Sequence, residues 1–412
     1  MPHSADELAP GTELLIERLG HLGDGIAIGP RGPIMVPLSA PGDRVAWDGA
    51  VWRVSSPGNG RQPPPCSHFG ICGGCSLQHI SEAAYRQAKH EWIVAALANQ
   101  GIEALVEPLV PISPGSRRRA ALTITRTTVG VGAGFLGRRS HDVTAIPECL
   151  ILRPRIKAVL PAVAGLVGGH LKMGQDATAT VTEIEAGLDV AVVSRGRCAS
   201  LDTGEIAKAK AAGLIGFSWN GELLMRLGSP RVRMSGVEVE FPPGAFIQAT
   251  AEAEAKLVDL VRAALKGALE IADLYAGIGT FTFALARGAK IAAYEGDNAA
   301  IEALAAAARR TSGLKPIVAE RRDLAVRPLM PQELKRFDGI VLDPPRPGAE
   351  PQVRALARSA VPRIAYVSCH PASFARDARL LAEGGYALTR VTPVDQFLWS
   401  HHIELVGEFS QR

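Results

Sequence analysis

The sequence predicts an α/β protein whose C-terminal part is a doubly wound parallel sheet, preceded by two smaller β-rich domains. Three observations carry that prediction. From about residue 246, short buried runs (IADLYA, KIAAYEGD, FDGIVLD, RIAYVSC) alternate with helical stretches such as FTFALARGA and NAAIEALAAAARR. That alternation is the pattern of strands joined by crossover helices. Upstream, the apolar runs are short, β-like and punctuated by Gly, Pro and Asp. The length of 412 residues suits two or three domains at about 150 residues each.

The elements follow in order. ELLIERLG and GDGIAIGPRGPIMVPLSAPGDRVAW predict a small all-β module over residues 1–60. The Pro-rich joint RQPPPC at 61–66 marks a boundary. A helix is expected over 81–101, with Ser81 as N-cap and Gly101 as stop, free to pack onto the C-terminal domain. Runs such as AALTITRTTVGVGAGFLG and ATVTEIEAGLDVAVVS make 105–245 β-rich, with a helical piece near 155–168. An Ala-rich helix at 249–267 opens the last domain, so the expected division is 1–60, 61–245 and 246–412.

Composition excludes several classes. With 47% hydrophobic and 21% charged residues, the chain is neither disordered nor a disulfide scaffold. Its longest apolar stretch, AVLPAVAGLVGG at 158–169, is far short of a membrane span. The opening MPHSADELAP has neither a basic nor an apolar leader region, so a cytoplasmic protein is expected. The net charge of +4 permits an acidic partner without identifying one.

DLYAGIGTF at 273–281 lies where a buried strand gives way to a helix. Gly277 and Gly279 would let the backbone approach a ligand at the helix N-terminus. Thr282 breaks the G-x-G-x-x-G dinucleotide fingerprint. Glu295 ends the next strand, where it could bind both hydroxyls of a ribose. The combination suits a nucleoside cofactor without a pyrophosphate, S-adenosylmethionine being the obvious candidate. The plainer reading is a tight βα turn and a solvated Glu295. DPPRPG at 343–348 is a rigid strand-end loop that could hold a planar group or the cofactor's polar edge, or simply end the strand.

Cys369 ends RIAYVSC, where open parallel sheets place their active sites. It is a candidate nucleophile, although a lone buried cysteine is commonly a small core hydrophobe. Glu404, within HIELV behind His401 and His402, is a candidate desolvated base, or an outward-facing strand residue. Cys66, Cys72 and Cys75 are spaced C-x5-C-x2-C, and Cys149 is a distant fourth. Four thiolates suit zinc or an iron–sulfur cluster, and the spacing does not separate them. Cys198 has no partner nearby. Residues 111–140 hold six arginines and no acid: Arg117, Arg118, Arg119, Arg126, Arg138 and Arg139. They form a candidate RNA-binding stretch, or a solvated basic face.

Taken in order, CSHFGICGGCSLQH, IPECLIL, FIQAT, DLYAGIGTF, EGD, DPPRPGA, YVSCHPASFARD and HHIELV resemble the S-adenosylmethionine-dependent RNA 5-methyluridine methyltransferases that carry a TRAM domain and an iron–sulfur cluster. The resemblance spans nearly the whole chain. It implies a class I (Rossmann-like) methyltransferase domain, an N-terminal OB-like β-barrel and a central iron–sulfur domain. Cys369 would be the nucleophile and Glu404 the base. Gln248, Tyr275, Thr280, Glu295, Asp323 and Asp343 would line the cofactor pocket around Gly277 and Gly279. Cys66, Cys72, Cys75 and Cys149 would hold a 4Fe–4S cluster. The implied partner is RNA, ribosomal in preference to transfer RNA, met by a monomeric enzyme with no membrane partner. The chain departs from the family pattern at His370, where Asn is usual, and at Thr250, where FIQAT ends in Thr instead of Asn. The β module is also shorter than usual between Arg44 and Pro63. A cytosine-C5 methyltransferase, a noncatalytic RNA-binding protein and a small-molecule methyltransferase are the rival readings. The context SCHP does not match the first, intact Cys369 and Glu404 oppose the second, and the third leaves the β module and arginines unused.

Overall fold

The computed structural model describes residues 8–411. The first seven residues, which begin the first expected domain and the stretch read above for a leader, lie outside the described residues, as does Arg412. The chain opens with β1 (Glu13–Leu19), β2 (Gly25–Gly29), β3 (Gly32–Val36), β4 (Arg44–Trp47) and β5 (Trp52–Ser56). They pair antiparallel in the order β3-β2-β1-β4-β5, so β3 and β5 are the sheet's edges. Ile16, Ala27, Ile34, Val36 and Val45 alternate inward to form its core.

Next come α1 (Glu82–Ala98) and β6 (Leu105–Val106), then the central elements: β7 (Arg119–Thr127), β8 (Gly130–Leu136), β9 (Val143–Ala145), α2 (Pro154–Gly169), β10 (Asp176–Ile184), β11 (Gly187–Ser194), α3 (Thr203–Ala211), β12 (Leu214–Trp219) and β13 (Glu222–Arg226). Strands β7 to β13 make one seven-stranded sheet, ordered β13-β12-β11-β10-β7-β8-β9. Val159, Val163 and Val167 recur every fourth residue, so α2 lays one apolar stripe on that sheet. Cys198 is a buried member of the same core.

The C-terminal lobe begins with the hairpin β14 (Arg231–Met234) and β15 (Val237–Glu240). It continues through α4 (Ala251–Ala264), β16 (Glu270–Leu274), α5 (Thr280–Leu285), β17 (Lys290–Glu295), α6 (Asn298–Arg310), β18 (Ile317–Arg321), α7 (Pro331–Leu334), β19 (Gly339–Leu342), α8 (Glu350–Leu356), β20 (Arg363–Ser368), α9 (Pro371–Glu383), β21 (Tyr386–Val394) and β22 (Glu404–Gln411). The eight-stranded sheet has the order β18-β17-β16-β19-β20-β22-β21-β6. Strand order reverses at β16, which lies between β17 and β19. Such a switch point opens a crevice at the strands' carboxyl ends.

One expectation needs correction. The sheet is mixed, because β22 runs antiparallel to both β20 and β21. Only residues 395–403 join β21 to β22, too short a connection for the crossover that a parallel pair requires. Packing contacts cross the expected boundaries at 61 and 246, as anticipated for the helix over 81–101. From α1, Ile93 and Leu97 enter one core with Ala272, Leu342, Tyr366 and Leu381, and β6 pairs with β21. From the hairpin, Met234, Val237 and Val239 pack with Ile278, Phe283 and Leu304. Among the described residues, no helix is long and apolar enough to cross a membrane.

Candidate active site

The loop after β16 carries left-handed positions at three alternate residues: Tyr275 (φ 65°), Gly277 (φ 55°) and Gly279 (φ 103°). Gly279 caps α5, and a Cβ there would lie 2.4 Å from the Phe283 ring, so the turn has no room for a side chain. Glu295, at the end of β17, accepts from Gly277 N through Oε2 at 2.9 Å and from Asp297 N through Oε1 at 2.9 Å. It therefore locks the glycine turn to the neighbouring strand. Asp343 follows β19 and accepts from Gln248 Nε2 at 3.1 Å.

Sheet register brings the reactive pair together. Val367 pairs with Val406 and Ser368 with Leu405, so one further step sets Cys369 opposite Glu404. An antiparallel β22 begins where the parallel strands end, which is why a residue at its start reaches the same edge as Cys369 and Asp343. A cavity of about 620 Å³ opens there. It is lined by Gln248, Tyr275, Gly277, Thr280, Glu295, Asp323, Asp343, Cys369 and Glu404, together with Phe246, Arg346, Gln396 and Phe397. The structure thus gathers every expected cofactor residue except Gly279, which shapes the turn from behind, and both expected catalytic groups.

The cavity's electrostatics favour neutral forms. Burial pushes the Glu404 carboxyl well above its usual range, Asp343 adds to this, and the bond from Gln396 opposes it. Asp343 is itself raised by burial and then by Asp273. Burial likewise carries Asp273 up to about 7. Cys369 is pushed up to about 11, by burial first and then by Glu404 and Asp343, so the resting group is a thiol.

A second cavity of about 740 Å³ lies on the other side of Cys369. Cys66, Cys72, Cys75 and Cys149 line it with Arg117, Arg119, Arg346, Phe397, His401 and His402. Cys369, Arg117, Arg119, Arg346 and Phe397 belong to both cavities. Among the described residues, no three His, Cys, Asp or Glu side chains converge closely enough for a single metal ion. The thiols surround the space instead. Burial raises Cys75 to about 12, and the other three cysteines add to that shift.

The arginines divide. Arg117 stacks 5.7 Å from the Phe397 ring and Arg119 5.2 Å from Phe246, and both face the cavities. The other four serve internal partners. Arg118 is buried, bonds Gln248 O and pairs with Glu254 at 2.6 Å. Arg126 donates to the carbonyls of Gly168, Gly169 and Leu171 at the end of α2. Arg138 and Arg139 both reach the buried Asp24, tying the N-terminal sheet to the central domain. The unusual His370 is the N-cap of α9, its Nδ1 accepting from Ser373 N at 3.3 Å as an Asn oxygen would. Thr250 caps α4 in the same way through Ala253 N at 3.0 Å.

Sequence reasoning missed Gln396, Arg346 and the ion pair of Lys89 with Asp395. Arg346 sits inside the quoted DPPRPG segment. Gln396 follows Asp395 in a loop-like stretch, and only its burial marks it out.

A glycine-kinked turn after the first central strand, an acid on the second and a thiol beside a carboxylate at the same edge define a methyl-transferring enzyme of the doubly wound class. A family profile described as tRNA (Uracil-5-)-methyltransferase matches residues 231–411. An uncharacterized RNA methyltransferase of Rhizobium meliloti is 42% identical, covering 97% of this chain and 99% of its own. The 23S rRNA (uracil(1939)-C(5))-methyltransferase RlmD of Chromohalobacter salexigens is 34% identical over 96% of this chain and 88% of its own. Among solved structures, the Pyrococcus abyssi tRNA (uracil-54, C5)-methyltransferase in complex with S-adenosyl-L-homocysteine has a TM-score of 0.73. At 23% identity, covering 97% of this chain and 100% of that one, it shares the fold. The chain belongs to the S-adenosylmethionine-dependent RNA uracil-5-methyltransferase family.

Proposed function

We propose that this enzyme methylates C5 of a uridine in 23S ribosomal RNA through a covalent bond between Cys369 and C6 of the target base. One observation carries the reading: Cys369 stands on the wall common to a cavity of cofactor-binding character and a cavity lined by arginine and aromatic side chains. A base entering from the second cavity meets the thiol on the side facing the first. C5 of uracil is a poor nucleophile. Cys369, a thiol at rest, first releases its proton to water, and addition of the resulting thiolate to C6 makes the ring an enolate whose C5 is carbanion-like. Glu295, Asp343 and the Tyr275–Thr280 turn would hold S-adenosylmethionine, whose sulfonium would supply the methyl group: C5 takes it as the S–CH3 bond breaks and that electron pair stays on sulfur as a neutral thioether. Glu404 then removes the C5 proton, and the C5–H electron pair expels the Cys369 thiolate as the C5=C6 bond re-forms. A target paired in a stem must first be flipped out of its stack.

Cys66, Cys72, Cys75 and Cys149 are proposed to hold a 4Fe–4S cluster. The four thiols line one cavity, and Cys72 and Cys75 each feel the charge of other members of the set, so they lie near enough to share one group, as the four ligands of a 4Fe–4S cluster do. The methyl transfer has no redox step, so the cluster's role is structural, beside the RNA path. Arg117 and Arg119 are the proposed RNA contacts, the N-terminal sheet is the TRAM-like module, and the enzyme works in the cytoplasm as a monomer. Ribosomal substrate is supported by the name of the 34% identical relative. Transfer RNA is the second reading, supported by the description of the family profile.

The test incubates the protein with unmodified ribosomal and transfer RNA and methyl-labelled S-adenosylmethionine, then maps the labelled nucleoside. The expected product is 5-methyluridine in 23S RNA. Cys369→Ala abolishes transfer, and Glu404→Gln accumulates a covalent protein–RNA adduct. Normal turnover by Cys369→Ala would sink the mechanism. Protein purified without oxygen should be brown with about four irons per chain. Colourless protein with stoichiometric zinc would refute the cluster.

A further inference from the structure

Gln396 lies between β21 and β22, buried to 4% exposure, and no motif announces it. Its Oε1 accepts from Ala249 N at 3.0 Å. A backbone N–H can only donate, so this contact assigns the oxygen and leaves the NH2 end pointing the other way. That NH2 donates to Glu404 Oε2 at 2.8 Å and to Gln248 Oε1 at 2.9 Å. Gln248 is then oriented in turn, its own NH2 meeting Asp343 Oδ2 at 3.1 Å. One backbone amide therefore sets the polarity of a four-side-chain relay that joins the cofactor cavity to Glu404.

We propose that Gln396 is a positioning residue for the C5-deprotonation step: its amide holds one oxygen of Glu404 as an acceptor, so that the other oxygen receives the substrate proton. The inference rests on the Cys369–Glu404 chemistry proposed above. A proton on Oε2 would oppose the N–H of Gln396, whereas among the described residues no hydrogen bond to Oε1 is found and Glu404 lines the first cavity. The C5 proton accordingly passes to Oε1. The electrons of the C5–H bond form C5=C6, the C6–Sγ bond breaks, and sulfur leaves as thiolate. The same donor favours the ionised carboxylate, which Glu404 must regain before each turnover. The titratable groups facing it are Asp343 from the end of β19 and Cys369 from the end of β20. From the chain before α4 it faces the relay residue Gln248, whose carbonyl is held by Arg118.

The test uses the full chain, an unmodified 23S RNA fragment and labelled S-adenosylmethionine. Gln396→Met keeps the length and removes the donor. Gln396→Glu keeps the acceptor for Ala249 and loses the donor when ionised. Both variants should release product about tenfold more slowly while the covalent protein–RNA adduct accumulates. The acidic limb of the kcat profile should move up by about one pH unit, with KM for RNA changed less than about twofold. A variant that merely loosened the fold would lower kcat at every pH and build up no adduct. If either folded variant shows the wild-type pH profile and no excess adduct, the inference is overturned. If the wild type itself forms no 5-methyluridine, it is the underlying reading that fails.

Discussion

Replacing Lys89 by Met should destabilise the C-terminal lobe more than any surface change. Lys89 reaches the lobe from α1 and has no exposed side-chain surface, and Asp395 is nearly as buried. The ammonium makes three bonds: Asp395 Oδ1 at 2.6 Å, His402 O at 3.0 Å and Phe397 O at 3.2 Å. Met fills much the same volume, so the loss is electrostatic and not a cavity. Removing one partner of a buried ion pair leaves the other charge uncompensated and costs about 3–5 kcal/mol. For a domain of this size that is on the order of 10 °C in Tm. The Tyr85 hydroxyl still donates to Asp395, at 2.8 Å from each carboxylate oxygen, which places the cost toward the lower end of the range. Because the loop that Lys89 clamps carries Gln396, Phe397, His401 and His402, methyl transfer should fall as well. The assay is calorimetric unfolding of wild type, Lys89→Met, Asp395→Asn and the double variant. Asparagine removes the stranded charge and keeps an acceptor for Tyr85, so the double variant should recover more than about half of the loss. A Lys89→Met protein within about 1 kcal/mol of wild type, or strictly additive single variants, would refute the reasoning.

Gly279→Ala, at φ 103° with Phe283 in the way, should cost about 1–3 kcal/mol in backbone strain. It should also weaken S-adenosylmethionine binding by about tenfold or more in titration calorimetry. His370→Ala should cost about 1 kcal/mol through loss of the α9 cap, whereas His370→Asn should leave stability within about 0.5 kcal/mol, both read by urea unfolding. Asp273, raised from 3.8 to about 7, binds its proton more tightly folded than unfolded. Its stabilising contribution is therefore fully present below pH 3.8 and is lost as pH rises through about 7. Asp273→Asn should flatten that decline, and an unchanged slope of stability against pH would count against the shift.

The doubly wound sheet was legible because parallel strands buried on both faces read as continuous apolar runs, as IADL and GIVL do. The direction of β22 was not, since side-chain pattern is the same for either orientation and only the short 395–403 connection decides it. Which strands and helix α1 packs against was not legible for a similar reason. The apolar face of α1 is visible in the sequence, but its partners in β16, β19 and α9 lie far along the chain. The expected site residues in distinctive local motifs line one cavity. The arginines were not separable, because Arg118 differs from its neighbours Arg117 and Arg119 in meeting Gln248 O and Glu254, partners 130 and 136 positions away. Gln396 reads as an ordinary loop residue until Ala249, Gln248 and Glu404 are brought around it.

The charge of the cofactor cavity leads to a last prediction. Asp343 raises the proton affinity of Glu404 within one buried space, and burial and then Asp273 raise that of Asp343, with Cys369 beside them and Glu295 and Asp323 on the same wall. Ionising that pair is opposed by burial and mutual repulsion, and a cation placed between them relieves both. S-adenosylmethionine carries such a charge on its sulfonium, whereas S-adenosylhomocysteine has a neutral thioether and the same amino-acid and adenosine ends. As pH rises through the range in which the pair ionises, affinity for the sulfonium should rise and affinity for the thioether should change little. The sign follows from linkage: a ligand that prefers the deprotonated site releases protons on binding and binds better where protons are scarce. Titration calorimetry of both ligands at pH 6 and pH 8, in buffers of different ionisation enthalpy, measures the affinities and the proton release directly. A selectivity gain of about tenfold for the sulfonium at the higher pH is expected. Parallel changes for the two ligands, or no proton release on binding the sulfonium, would show that the carboxylates answer to something other than the charge that methyl transfer removes. Such a cavity binds the charged methyl donor and loosens its hold once the methyl group, and the charge with it, has gone.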